Sequence, residues 1–127
     1  MANVLVVDDD DEIRSTLRML LEDASHHVRE AASGQTCLPI LRASAERLVV
    51  LLDLIMPQMN GLQVLEAIHA EGAALTRHAY ILMTANNRQM LSQAAPLLAA
   101  LAITLVRKPF DLDILLETVE HAAARLT

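Results

Sequence analysis

Aromatic residues are nearly missing from this chain of 127 residues: Tyr80 and Phe110 are the whole set, and there is no tryptophan. Surfaces that hold bases or sugars by stacking have almost nothing to build on. The single cysteine, Cys37, excludes an internal disulfide and a cysteine-based metal centre. Long apolar runs are missing too: residues 48–52 and 94–103 are too short or too broken to span a bilayer. The opening Met1-Ala2-Asn3-Val4 has neither the basic start nor the apolar stretch of a signal peptide. The expectation is a cytoplasmic protein with no membrane partner. Positive charge is scarce as well. Ten bases face 16 acids, for a net charge of −6, which disfavours contact with nucleic acid through phosphate neutralisation.

What is present is apolar. Hydrophobic residues make up 54% of the chain, so disorder is not expected. The length suits one domain, so a single domain over residues 1–127 with no second or output domain is expected. A chain of this size buries roughly two thirds of its unfolded surface, enough for a core without staples. The acidity is local. The run Asp8-Asp9-Asp10-Asp11-Glu12 holds five of the negatives, and outside it the balance is 11 acids to 10 bases. Such a run points to a cation site or a helix start.

Short apolar runs alternate with longer amphipathic stretches. Strands are expected at residues 4–7, 28–31, 48–52, 80–83 and 103–106. Helices are expected at 11–23, 36–45, 62–70, 88–101 and 111–126. Asp10 or Asp11 caps the first helix, and Asp111 caps the last. Pro39 must fall in the first turn of the second helix or kink it. Ile114, Leu115, Val119 and Ala122 form the expected inner face of the last helix. Strict alternation implies an α/β fold with a parallel sheet and right-handed crossovers. The wholly apolar 48–52 run suits a strand covered on both faces.

The strand ends carry the chemistry. They fall at Asp8-Asp9, Asp53, Thr84 and Lys108, and open α/β sheets bind ligands outside the carboxyl ends of their strands. Three carboxylates brought together repel, which raises pKa values or demands a cation. A hard divalent ion relieves this, and Mg²⁺ suits a site that also handles phosphate. Lys108 is the only lysine, beside nine arginines, so a compact point charge is wanted at that place.

Together Val6-Val7-Asp8-Asp9, Asp53-Leu54-Ile55-Met56-Pro57 with Asn60-Gly61, Thr84-Ala85 and Lys108-Pro109-Phe110 resemble the receiver domain of two-component response regulators. The resemblance covers the whole chain. It implies a flavodoxin-like, CheY-like doubly wound sheet of five parallel strands in the order 2-1-3-4-5, with strands 1 and 3 adjacent at the switch point. It implies that Asp53 is the phosphoacceptor, taking a phosphoryl group from a phosphohistidine. Asp9, Asp53 and the backbone carbonyl of Ile55 would hold Mg²⁺, with Asp8 acting through water or orienting a ligand. Thr84 and Lys108 would each meet a phosphoryl oxygen. The Lys108-Pro109 bond would be cis. The expected partners are a sensor histidine kinase or histidine phosphotransfer protein and a downstream protein target on the helix 4–strand 5–helix 5 face. The protein is read as a signalling phosphoacceptor that acts only on itself, not as an enzyme with a separate substrate.

Other residues receive plainer readings. Asp10, Asp11 and Glu12 begin a helix, where the dipole favours acids. Gly61 supplies a turn conformation. Met56 and Pro57 shape the loop after Asp53. His26, His27, His69, His78 and His121 lack metal spacing and read as surface residues. Cys37 is a small helix residue, and Met83 and Met90 serve packing.

Three places bear on signalling. Leu105 stands where the family usually has an aromatic on strand 5, so a ring-rotation readout cannot operate, and a backbone or packing shift is expected instead. Ile55 and Asn86 occupy the two places from which a polar side chain could orient an attacking water. Ile55 cannot do so and Asn86 could, which implies slow to intermediate self-dephosphorylation. Helix 4, rich in alanine and leucine, is either a partner or homodimer surface or a tightly packed element. Three alternatives each meet an obstacle. An aspartate-nucleophile phosphatase or phosphotransferase needs a second acid where Ile55 stands. A flavin or nucleotide carrier needs a phosphate loop where the acidic run lies. A degenerate receiver that binds partners without phosphorylation lacks a reason to keep the complete acceptor set.

Overall fold

Strands, most of them rich in Val and Leu, alternate with capped helices along the described chain, residues 1–85 and 87–126 of a computed structural model. The order is β1 (Asn3–Val7), α1 (Asp11–Asp23), β2 (His27–Ala31), α2 (Gly34–Ala43), β3 (Leu48–Asp53), α3 (Gly61–Glu71), β4 (Ala79–Thr84), α4 (Arg88–Ala100), β5 (Thr104–Arg107) and α5 (Leu112–Ala124). One further helical turn, Ala73–Thr76, lies between α3 and β4 and is too short for helical periodicity to reveal. The strands form one parallel sheet in the order β2-β1-β3-β4-β5. Among the described residues no helix is long and apolar enough to cross a membrane.

Period-two alternation divides the core into two layers. Val4 and Val6, Val49 and Leu51, and Ile81 and Met83 face one side, where they meet Leu17 and Leu21 of α1 and Leu115, Val119 and Ala122 of α5. Leu5 and Val7, Val50 and Leu52, and Tyr80 and Leu82 face the other, against α2 and α3, with Leu97 and Leu98 of α4 packed alongside. Every residue of β3 is buried, as a central strand covered on both faces requires.

Side chains cap the helices. Asp10 accepts from the N–H groups of Glu12 and Ile13, Ser33 from Thr36, Asn87 from Met90, and Asp111 from Asp113 and Ile114. Asn60 and Gln63 form a reciprocal capping box on α3. Asp10 thus acts as a cap, in line with its reading as a helix-start residue. Pro39 departs from expectation. Helix α2 begins at Gly34, so Pro39 sits beyond the first turn of an unbroken helix. Ile114 also departs, being 58% exposed, because the inner stripe of α5 runs through Leu115, Val119 and Ala122. The leucines of α4 pack inward while Ala95, Pro96, Ala99 and Ala100 are exposed.

Two histidines expected at the surface are buried. His26 accepts from the Ala2 N–H through Nδ1 at 3.0 Å. His78 accepts from the Leu48 N–H through Nδ1 at 2.9 Å and faces the Leu41 carbonyl with Nε2 at 3.0 Å. The Leu48 bond requires a bare Nδ1, so Nε2 carries the proton and donates to Leu41. The neutral ring therefore ties α2 to the start of β3. Burial, joined by the Arg77 charge, holds His78 below its ordinary value of 6.5 despite the Leu41 carbonyl. Below pH 6.5 the unfolded chain binds a proton that the folded ring refuses, so stability falls as the pH falls through that window. Urea unfolding is expected to show His78→Ala less stable by about 2–4 kcal/mol, through an unpaired Leu48 N–H and a cavity. The variant's stability should also lose part of its fall between pH 7 and 5.

Candidate functional site

The sheet register assembles the site. β1 pairs with β3 up to Val7 opposite Leu52, and the next residue on each strand is acidic: Asp8 and Asp53. β4 pairs with β5 up to Thr84 opposite Arg107, and Lys108 comes next. Backbone bonds hold these ends. The Asp8 N–H donates to Ala31 O at 3.2 Å, Leu54 to Met83 O at 2.9 Å, and Lys108 to Thr84 O at 2.7 Å. Asp8, Asp53 and Lys108 continue the alternation of Val6, Leu51 and Val106, so all three fall on the α1/α5 side of the sheet.

Lys108 Nζ stands 3.1 Å from Asp8 Oδ2 and 3.3 Å from Asp53 Oδ2. Asp8 is completely buried, and its Oδ1 accepts from the Asp10 N–H at 2.9 Å. Asp53 is 5% exposed, and its Oδ1 accepts from the Ile55 N–H at 3.3 Å. Asp9 is exposed at the rim. The Lys108-Pro109 peptide is cis, as the resemblance implied. Thr84 is buried at the end of β4 with its hydroxyl donating to Ala85 O at 2.6 Å. Ile55, 46% exposed, sits just past Asp53. Asn86 lies outside the described residues.

Burial pushes the Asp53 carboxyl up to about 6, and the Asp8 charge adds to this, while Lys108 pulls the other way. Burial works against the Lys108 charge, but Asp53 and Asp8 outweigh it and raise the ammonium above its usual range. One ammonium thus serves two carboxylates, with a third beside them. Carboxylate oxygens of Asp8, Asp9 and Asp53 all lie within 4.8 Å of one another. A set of hard oxygen donors with an excess of negative charge fits a hard divalent cation.

Two contributors were not legible in the sequence. Gly61 has no positive φ, so it supplies no special turn conformation. A Cβ there would stand 2.6 Å from Asp53 O and 2.8 Å from Leu54 Cα, so glycine admits close backbone approach beneath the site. Its N–H donates to Leu54 O at 2.8 Å. The second is Arg14 of α1, whose guanidinium donates to Asp8 O at 2.7 Å. Its spacing from the acidic run offered only an ordinary helix ion pair with Asp11 as a signal.

A parallel sheet in this order with paired acids and a lysine at its carboxyl edge defines a receiver domain. The profile described as "Response regulator receiver domain" matches residues 4–120, and the chain belongs to that family. Over 61 residues it is 41% identical to the transcriptional regulatory protein SrrA of Staphylococcus aureus, a match spanning 48% of this chain and a quarter of that relative. Its structure is similar to a CheY-like receiver domain protein from Methanospirillum hungatei, with a TM-score of 0.81 and 30% identity over 98% of this chain and 95% of that one. It is also similar to the Vibrio cholerae chemotaxis protein CheY4, with a TM-score of 0.80 and 28% identity over 96% and 98% of the two chains.

The crowding of charge predicts a stability gain from removing one carboxylate. In metal-free buffer at pH 7, Asp53→Asn is expected to be more stable than the parent by about 1–3 kcal/mol. Asp53 takes up its proton near 6 in the folded state and near 3.8 in the unfolded state. The parent therefore gains on the variant as the pH falls through that window, and the gap closes toward pH 4. Chemical denaturation across pH 4 to 7.5, with a chelator present, checks both the sign and the closure.

Proposed function

We propose that this receiver domain is a phosphoacceptor whose Asp53 takes a phosphoryl group from a phosphohistidine. The observation that supports this most is Asp53 itself, a nearly buried carboxylate between Asp8 and the Lys108 ammonium at the edge of the sheet. One Asp53 oxygen attacks phosphorus, the P–N bond breaks, and the imidazole leaves, yielding an acyl phosphate on Asp53. Lys108 stands where it can meet a phosphoryl oxygen and offset the charge that spreads over the transferring group. Thr84 would exchange its bond to Ala85 O for one to a second phosphoryl oxygen. Asp9, Asp53 and the Ile55 carbonyl would hold Mg²⁺, with Asp8 acting through water or orienting a ligand. When bound, the ion supplies charge neutralisation for the phosphoryl oxygens and the acids together.

On this reading the donor is a sensor histidine kinase or a histidine phosphotransfer protein. The phosphorylated domain then acts on a downstream protein through the α4–β5–α5 face. Leu105 is partly buried and packed against the core beneath that face, which favours a shift of packing over the turning of a ring. The domain turns over no separate substrate; it forms and hydrolyses its own acyl phosphate.

Intact mass after incubation with Mg²⁺ and acetyl phosphate tests the assignment. A single phosphoryl adduct is expected on the parent and none on Asp53→Asn. An unmodified, folded parent would overturn it and leave a phosphorylation-independent binding module. The adduct's decay gives a second check. Ile55 offers an approaching water no hydrogen bond. One neutral hydrogen bond contributes about 1 kcal/mol, so Ile55→Asn should hasten decay roughly fivefold.

A further inference from the structure

Arg14 stands at the junction of three elements. Its Nη1 donates to Asp8 O at 2.7 Å, its Nε to Glu30 Oε1 on β2 at 3.2 Å, and its Nη2 to the Asp11 carboxylate. Glu30 is held in turn by Arg18, whose Nε reaches Glu30 Oε2 at 2.7 Å and whose Nη2 donates to Val28 O at 3.0 Å. Ion pairs to exposed acids at such a surface contribute little. The bond to Asp8 is different. Its acceptor is the main-chain carbonyl of a completely buried residue, and the Arg14 side chain is itself only 14% exposed.

That carbonyl belongs to the peptide joining Asp8 to Asp9. A peptide unit is planar, so fixing the Asp8 carbonyl also fixes the direction of the Asp9 N–H and the path of the chain into Asp9. Asp8 and Asp9 supply two of the three clustered carboxylates. One end of the Asp8 side chain is held by Lys108 and the other by the Asp10 N–H. The guanidinium holds the backbone from which both acids project.

We propose that Arg14 is a positioning residue for the cation site, clamping the Asp8–Asp9 peptide so that both carboxylates face Asp53. This deepens the phosphoacceptor reading and depends on it. The clamp and a simple charge effect predict opposite signs. Charge alone makes Arg14 repel a nearby divalent ion, so its removal would tighten binding. Loss of the clamp lets the acidic loop move, which weakens binding. Groups that orient metal ligands typically contribute tenfold or more to affinity.

Calorimetric titration of Mg²⁺ into the parent, Arg14→Gln and Arg14→Lys tests this, with nitrogen–proton NMR spectra of each variant verifying the fold. Both variants are expected to bind Mg²⁺ about tenfold more weakly, because lysine keeps the charge but lacks the fork that spans three acceptors. Unchanged or tighter binding by Arg14→Gln would overturn the proposal, as would parent-like affinity in Arg14→Lys. In either case the phosphoacceptor reading would stand if the parent binds Mg²⁺ and takes up a phosphoryl group. A parent that binds no Mg²⁺ would overturn both.

Discussion

Mutual repulsion among the carboxylates of Asp8, Asp9 and Asp53 is the constraint around which the upper edge of the sheet is arranged. Two unit charges about 4 Å apart at an effective dielectric near 20 interact by about 4 kcal/mol. That is a large part of the whole stability of a small domain. The sheet brings the acids together regardless, because β1 and β3 are neighbours in register and the next residue on each is an aspartate. Lys108 relieves the strain in part by reaching Asp8 and Asp53 at once. The remaining excess of negative charge suits the site to a divalent cation.

The rest of the molecule supplies rigidity for that arrangement. Side chains of β1 and β3 alternate between two buried layers, so a slip of one residue would exchange those packed against α1 and α5 for those packed against α2 and α3 and disturb the fit of both. Two apolar layers keep the sheet from flexing. Gly61 lets α3 begin directly beneath Asp53, and Asp10 starts α1 immediately after the paired acids. The loops bearing the chemistry are thus short spans between capped helices and buried strands, with little freedom to let the charges drift apart.

Much of this was legible in the residues. Four strand ends bearing Asp8-Asp9, Asp53, Thr84 and Lys108 point to the site by themselves, because ligands gather at the carboxyl edge of such sheets. The strand order needed the family resemblance, since alternation alone leaves the neighbours of β1 undecided. What escaped were features that depend on three-dimensional approach. His26 and His78 look like any polar residues in a turn, and only packing shows that each ring answers a backbone N–H. Ile114 obeys helical periodicity yet lies just outside the stripe that α5 buries. Gly61 looked like a turn residue because close contact with a distant backbone leaves no mark on the local sequence. Arg14 stands three residues after Asp11, a spacing that signals only a surface ion pair, and its bond to a carbonyl beside the site cannot be foreseen from that.

Crowded, largely buried carboxylates suit the sheet edge to a divalent cation, and the Asp53 carboxyl reports on that crowding directly. Carbon-detected NMR of that group through a pH titration, without and with Mg²⁺, measures it. Titration near pH 6 is expected in metal-free buffer, with a displacement to lower pH when Mg²⁺ is added. An Asp53 carboxyl that titrates in the ordinary carboxylate range, unmoved by Mg²⁺, would contradict it.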